Sequence, residues 1–381
     1  MVTYVALPYQ VYALTHSSLA VGLLGLAELL PLLLTAFLGG ALADAVDRRR
    51  MVLVTDVGLA MGSGLLALNA LRPSPPAWPL YVAAALMSGL SGLQRPSLEA
   101  LTPRLVDRDE LPAAAALSTF RGSVGMIAGP AVGGALIAAS GVFSAFALDV
   151  LTYVFSFLAV RLIRAVPPAA AEPPSLARIL EGFRYARSRQ ELIGTYVVDF
   201  VAMVFGMPLA LFPALSETLG GAKALGPLYA APAVGALAAS LTSRWTPRVH
   251  RHGLAVMVAA AAWGIAIIAF GLCDGLVAAL VFLALAGGAD CVSGIFRATL
   301  WNQTIPDDLR GRMAGIEMVS YMSGPLLGHV ESGAVAALFG VRASVVSGGV
   351  LCVLGVLACG AMLPLFVAYD ARPASAPPAP G

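Results

Sequence analysis

The sequence predicts an all-α polytopic membrane protein with twelve transmembrane helices in two pseudo-symmetric six-helix bundles. Three observations carry that expectation: a composition too apolar for a soluble fold, apolar blocks of membrane-spanning length, and an internal repeat relating the two halves of the chain.

Of 381 residues, 59% are apolar and only 12% are charged. The mean hydropathy is +0.85, whereas a soluble domain carries about 25% charged residues. The apolar blocks run at 1–14, 19–43, 51–71, 80–101, 113–139, 143–163, 192–214, 226–243, 253–272, 276–303, 313–338 and 343–367. A block of about 20 residues crosses a ~30 Å hydrocarbon core at the helical rise. The first block rises only about 21 Å and lacks a polar flank, so the expectation is that the recorded start truncates helix 1. No cationic n-region precedes it, which argues against a cleaved signal peptide.

Loop charge sets the orientation. With Arg48, Arg49 and Arg50 on the cytoplasmic side, the same side collects Arg104, Arg108, the arginines between Arg161 and Arg189, then Arg244, Arg248, Arg251, Arg310, Arg312 and Arg372. The opposite face holds Arg72, Lys223 and Arg342. The positive-inside rule then puts both termini in the cytoplasm of a multi-pass protein of the plasma (inner) membrane.

The expected division is a bundle over 1–163, a central cytoplasmic loop over 164–191, a second bundle over 192–367, and a disordered Pro- and Ala-rich tail over 368–381. Within the loop, Leu176, Ile179, Leu180 and Phe183 share one helical face, which predicts an amphipathic helix on the cytoplasmic surface. The repeat supports this division. Ser91-Gly92-Leu93-Gln94-Arg95-Pro96-Ser97-Leu98 aligns without gaps on Ser293-Gly294-Ile295-Phe296-Arg297-Ala298-Thr299-Leu300, and the helices that follow share Gly129-Pro130 and Gly324-Pro325. Parallel repeats of this kind place a substrate site between the halves near the midplane.

After helix 2 the chain reads Gly40-Ala41-Leu42-Ala43-Asp44-Ala45-Val46-Asp47-Arg48-Arg49-Arg50. Gly40 permits close helix approach, Asp44 can cap a helix or pair with arginine, and the cations can lock the cytoplasmic side. A plain positive-inside anchor explains the arginines but not Gly40 and Asp44. This loop resembles the signature of the major facilitator superfamily (MFS), departing from it at Ala45 and Asp47. Helix 5 carries Gly125, Gly129, Pro130, Gly133 and Gly134, similar to the signature of that superfamily's exporters. Its glycines form a groove and its proline a kink through which the two halves can pack; generic small-residue packing is the same interaction. Ala116 stands where a further upstream glycine is usual.

Arg95-Pro96, Thr102-Pro103-Arg104-Leu105-Val106, Leu111-Pro112, Asp199, Phe205-Gly206-Met207-Pro208 and Leu211-Phe212-Pro213 resemble the MFS subgroup of enterobactin exporters and drug efflux proteins. That resemblance implies a proton-driven exporter of amphipathic, siderophore-like or drug-like small molecules working by alternating access. An importer of a small solute, or a sensor or scaffold that moves nothing, are the alternatives.

Ionisable groups within spans are functional candidates because burying them is costly. Glu28 lies about 14 Å into helix 2 and Arg121 about 12 Å into helix 5; Asp290 lies deep in helix 10. Glu28 and Asp290 are read either as proton-coupling carboxylates or as structural partners of Arg121 and Arg297. Arg121 can instead hold an anionic substrate. Arg95 and Arg297 occupy equivalent repeat positions and are expected to snorkel toward the cytoplasmic ends, with a gating role as the alternative. Glu99 is placed to receive Arg48 or Arg95, and Glu317 to join the same gate. Asp149 and Asp199 read as shallow packing or capping groups, and His329 and Glu331 as a solvated rim.

The four cysteines, Cys273, Cys291, Cys352 and Cys359, lack zinc-site spacing and read as packing residues. Lys223, the one lysine, is not part of a phosphate-binding loop, so ATP hydrolysis by that route is excluded. The scattered histidines supply no catalytic cluster, which argues against an enzyme. No basic, aromatic-interleaved face suggests nucleic acid. The expected partners are therefore a small-molecule substrate and the lipid bilayer, with the chain a monomer. No cofactor or metal is expected, and a proton gradient is the energy source.

Overall fold

Long helices joined by short turns make up nearly all of the described residues. The computed structural model describes residues 1–45, 47–164, 183–306 and 309–371, with backbone alone at 36–45, 100, 102, 103, 310–312, 314–316, 318 and 319. In chain order the helices are α1 (Val2–Thr15), α2 (Ser18–Ala45), α3 (Arg48–Ala70), α4 (Trp78–Leu105), α5 (Leu111–Ser140) and α6 (Val142–Arg161). Then follow α7 (Gln190–Phe205), α8 (Phe212–Leu219), α9 (Ala222–Leu241), α10 (His252–Gly271), α11 (Leu276–Thr304), α12 (Arg310–Phe339), α13 (Val341–Met362) and the short α14 (Pro364–Val367). Among the described residues, nine stretches are long and apolar enough to cross a membrane, with Gln190–Leu219 counted as one. Of the rest, α1 has 14 residues, while α4 and α12 have 28 and 30 and are interrupted by charged residues such as Arg95, Glu99 and Glu331.

Helix pairing repeats along the chain. The α2–α4, α3–α4, α3–α6, α1–α5, α1–α6 and α5–α6 packings recur as α9–α11, α10–α11, α10–α13, α7–α12, α7–α13 and α12–α13. Turns repeat as well: α5 passes to α6 through Gly141 at φ 83°, and α12 to α13 through Gly340 at φ 92°. Both glycines occupy the left-handed region, which lets a helix end and reverse within one residue.

Two segments differ from the sequence expectation. The block expected to be continuous over 192–214 is broken between Phe205 and Phe212. Pro208 has no N–H to continue the ladder, and the indole Nε1 of Trp263 donates to the Gly206 carbonyl at 2.9 Å. A side chain at Gly206 would collide with that indole. The last block, expected over 343–367, stops at Met362 and resumes as α14, whose Phe366 is wholly buried against Gly194 and Gly253.

Of the expected amphipathic face, Leu176, Ile179 and Leu180 lie outside the described residues, as does the chain from 372 onward. Near its end the loop is fastened to α11: the Tyr185 hydroxyl donates to the Thr304 carbonyl at 2.8 Å, and Ala186 is buried. Gly40 and Asp44 fall on the last turns of α2, where the backbone alone is described. Asp47, which departs from the family loop pattern, caps α3 by accepting from the backbone N–H of Arg49 at 2.9 Å and of Arg50 at 3.4 Å.

Candidate functional site

Small residues bring the two sets of helices together at one end of the molecule. Where α2 crosses α12, a carbon added to Gly333 would stand 2.7 Å from the Ser18 carbonyl oxygen and 2.9 Å from the Gly22 Cα, and one added to Gly25 would stand 2.8 Å from the His329 Cβ. Where α5 crosses α9, a carbon on Gly226 would stand 2.9 Å from the Pro130 carbonyl oxygen, and Gly134 meets the Gly226 backbone. Backbones this close have no room for side chains, and van der Waals contact holds them.

The exporter-like glycines of α5 therefore divide their work. Gly134 packs against the other set of helices as expected, but Gly129 and Gly133 receive Met1 and Val2 of α1, and Gly125 has nothing within 4 Å. His329 is not a solvated rim residue, since its Nε2 is buried, without a hydrogen-bond partner among the described residues, beside the α2–α12 crossing.

At the opposite end the two sets part. From Leu111 to Gly129 no residue of α5 is buried; Leu117 and Phe120 are 67% and 66% exposed. Arg121 is exposed and forms no ion pair with Glu28, so the expected structural pairing of those two is overturned. The space between the sets is bridged by Arg95 of α4, whose guanidinium lies 5.9 Å from the Tyr321 ring centroid on α12 and whose Nε is 3.2 Å from Glu99. Arg95 is thus held by a neighbouring carboxylate and an aromatic face. Glu99 receives Arg95 rather than Arg48, which is itself buried. Arg49 donates to the carbonyl oxygens of Val160 at 3.2 Å and Arg161 at 2.6 Å, fastening the start of α3 to the end of α6.

Glu28 lies in a hollow of about 230 Å³ that Thr3, Tyr4, Met87, Ser88 and Ser91 also line. The Ser88 hydroxyl donates to the Glu28 carbonyl oxygen at 3.0 Å, and no cation pairs with the Glu28 carboxylate among the described residues. Tyr4 and Tyr229 meet edge to face with centroids 5.6 Å apart, and Tyr4 lines the hollow that holds Glu28. Tyr229 belongs to α9, so this carboxylate sits beside an aromatic contact joining the two sets of helices.

In the second half, Arg297 of α11 is drawn inward. It forms an ion pair with Asp199 of α7 and lies 3.6 Å from Asp290 on its own helix. The Arg297 and Asp199 side chains are 12% and 10% exposed, while that of Asp290 is 42% exposed. Glu317 lies within electrostatic reach of Arg297 and Asp199. The snorkelling expectation for Arg297 and the shallow capping role for Asp199 are both overturned, because the two charges find each other on facing helices. A hollow of about 10 Å³ touches Asp199, Asp290, Trp263 and Ser293, about the size of one water molecule.

The first half holds carboxylates in neutral hydrogen-bond cages. Asp56, which the sequence reading passed over, accepts from Gln94 Nε2 at 2.6 Å and from the Ser156 hydroxyl at 2.8 Å. Asp149 accepts from the hydroxyls of Thr3 at 2.5 Å and Ser63 at 3.0 Å. Depth would have flagged both Asp56 and Asp199: by helical rise they lie about 12 Å and about 14 Å into their helices, close to the depth of Glu28.

A family model described as transmembrane secretion effector matches residues 1–380. The chain belongs to that family of MFS transporters. This member is 29% identical over 380 residues to the enterobactin exporter EntS of Shigella boydii serotype 18, an alignment covering 98% of the chain and 89% of the relative. It is 28% identical, with the same coverage, to EntS of Escherichia coli O1:K1. Among solved structures, a bacterial homologue of the human lysosomal transporter Spinster, in an inward-facing and unoccupied conformation, superposes with a TM-score of 0.78 at 16% identity, covering 98% of this chain and 95% of that one. The nucleoside transporter NupG superposes with a TM-score of 0.75 at 13% identity, covering 95% and 97%. The secretion effector is thus a multi-pass membrane transporter with the MFS fold, and not an enzyme.

Proposed function

We propose that this secretion effector exports an amphipathic small molecule, siderophore-like or drug-like, by alternating access driven by a proton gradient. The observation that carries the proposal is the unequal packing of the two sets of helices: glycine seams close one end, while at the other α5 stands unburied. Residues 1–163 rock against residues 192–367. With both termini in the cytoplasm of the plasma membrane, the open end faces the cytoplasm and admits substrate from there. Gly40, Asp44, Arg48, Arg49, Glu99 and Glu317 then belong to the end that must close before release.

Glu28 and Asp290 are the coupling carboxylates of the proposal, for different reasons. Glu28 has no fixed cation, so gaining or losing a proton breaks no ion pair. Asp290 competes with Asp199 for one guanidinium, so protonating it leaves Arg297 to Asp199 alone. Arg121 and Arg95 face the space through which substrate passes.

The test is transport into inverted membrane vesicles, where export loads the lumen. A gradient-dependent accumulation of a fluorescent amphipathic probe, abolished by collapse of the gradient, is the expected result. Equal accumulation with and without the gradient sinks the coupling, and loss of preloaded probe on energisation reverses the direction.

A further inference from the structure

The second half carries a groove of about 850 Å³ between α9, α10 and α11. Its floor is made by close backbone approach, since side chains on Gly235 or Gly287 would strike the backbone of the facing helix. Its walls are small: the repeat register that aligns Ser91 with Ser293 puts Ala284, Gly288 and Ala289 of the groove where the first half has Val82, Leu86 and Met87. Along α11 it runs from Val281 to Phe296, about 22 Å by helical rise, longer than the ~15 Å half-thickness of a hydrocarbon core.

The two ends of the groove differ. One is wholly apolar; the other is bounded by Thr242, Trp245, Val249 and Arg251. Trp245 stands on the 3₁₀ helix Ser243–Arg248, which also carries Arg244 and Arg248, and all three arginines are exposed. Among the described residues no acidic residue lines the groove; Asp370 lines the adjoining hollow with Arg251. Trp245 contacts Phe296 at 5.9 Å between centroids, placing an aromatic anchor at the level of the cations. An apolar channel of leaflet length, ending at a tryptophan and a cluster of arginines, matches an acyl chain below an anionic headgroup.

We infer that this groove is a binding site for an acidic glycerophospholipid, its acyl chain lying along α11 and its phosphate at Arg248 and Arg251. The lipid fills a wall that the first half fills with its own larger side chains. It binds outside the transport path, so the inference does not depend on the direction of transport or on coupling.

The experiment uses the full chain reconstituted into nanodiscs of equal parts phosphatidylglycerol and phosphatidylcholine, then released and weighed by native mass spectrometry. The expected result is retained phosphatidylglycerol in preference to phosphatidylcholine, lost by about thirtyfold in affinity when Arg248→Ala and Arg251→Ala are combined. Ala238→Trp, which blocks the groove, lowers retention of the same lipid without changing charge. If that variant does not fold, the arginine pair alone decides. Equal retention of both lipids by the parent chain, unchanged retention in the arginine variant, or a second copy of the chain in place of lipid overturns the site.

Discussion

Arg297 on α11 and Asp199 on α7 form an ion pair inside the second half, with Asp290 3.6 Å from the same guanidinium. Two acids sharing one base make an arrangement in which one acid is structural and the other is free to change its charge. Asp199→Asn should therefore destabilise the fold by about 3–5 kcal/mol, the cost of stranding a buried charge. Asp290→Asn should leave thermal stability near that of the parent while removing gradient-driven transport. Thermal unfolding in detergent beside vesicle transport separates the two; equal destabilisation by both variants contradicts the division of roles.

Glu28→Gln is expected to fold normally, because the carboxylate has no ion pair to lose. Its transport should no longer respond to the proton gradient, while probe exchange down a concentration gradient persists. Counterflow measured beside energised uptake checks this, and intact energised uptake in both Glu28→Gln and Asp290→Asn would end the coupling proposal.

The glycines of α5 give opposed predictions. Gly134→Leu strikes the Gly226 backbone and should open the sealed end, whereas Gly125→Leu is accommodated here and should hinder closure of the other end. Alkylation of a single cysteine introduced at Arg121 reports on the open end: faster than parent or unchanged in Gly125→Leu, slower in Gly134→Leu. The reverse ordering would show that the two ends are wrongly assigned.

Arg49→Ala removes two hydrogen bonds to the carbonyls that end α6. A loss of about 1–3 kcal/mol is expected, read as a lower unfolding temperature, with Arg49→Lys recovering part of it. Arg95→Ala, by contrast, loses an exposed ion pair and one cation–π contact, worth about 1 kcal/mol or less each; it should alter transport rate more than stability.

The architecture was legible because lipid imposes one rule everywhere: apolar length. The helix ends followed from charge and glycine, and the repeat around Arg95 and Arg297 announced the doubled unit. What sequence spacing hid was side-to-side geometry. Arg297 looked free to reach the interface because its partner, Asp199, lies on a different helix. Gly22 and Gly333 are unremarkable singly and form a seam only when α2 meets α12. Of the break at Gly206, Pro208 was the legible half; Trp263, which holds the Gly206 carbonyl, lies far along the chain.

That break has a mechanical outcome. Between Phe205 and Phe212 the seventh crossing is not a rod but two rods and a joint, with Trp263 gripping α7 at its C-terminal tip. A tilt of α8, together with the 3₁₀ turn Leu209–Leu211 that leads into it, about Gly206 and Met207 severs no ladder hydrogen bond, whereas the same tilt in unbroken α11 would. The segment beyond the break can therefore flex while the carboxylate of Asp199, anchored on α7, keeps its grip on Arg297.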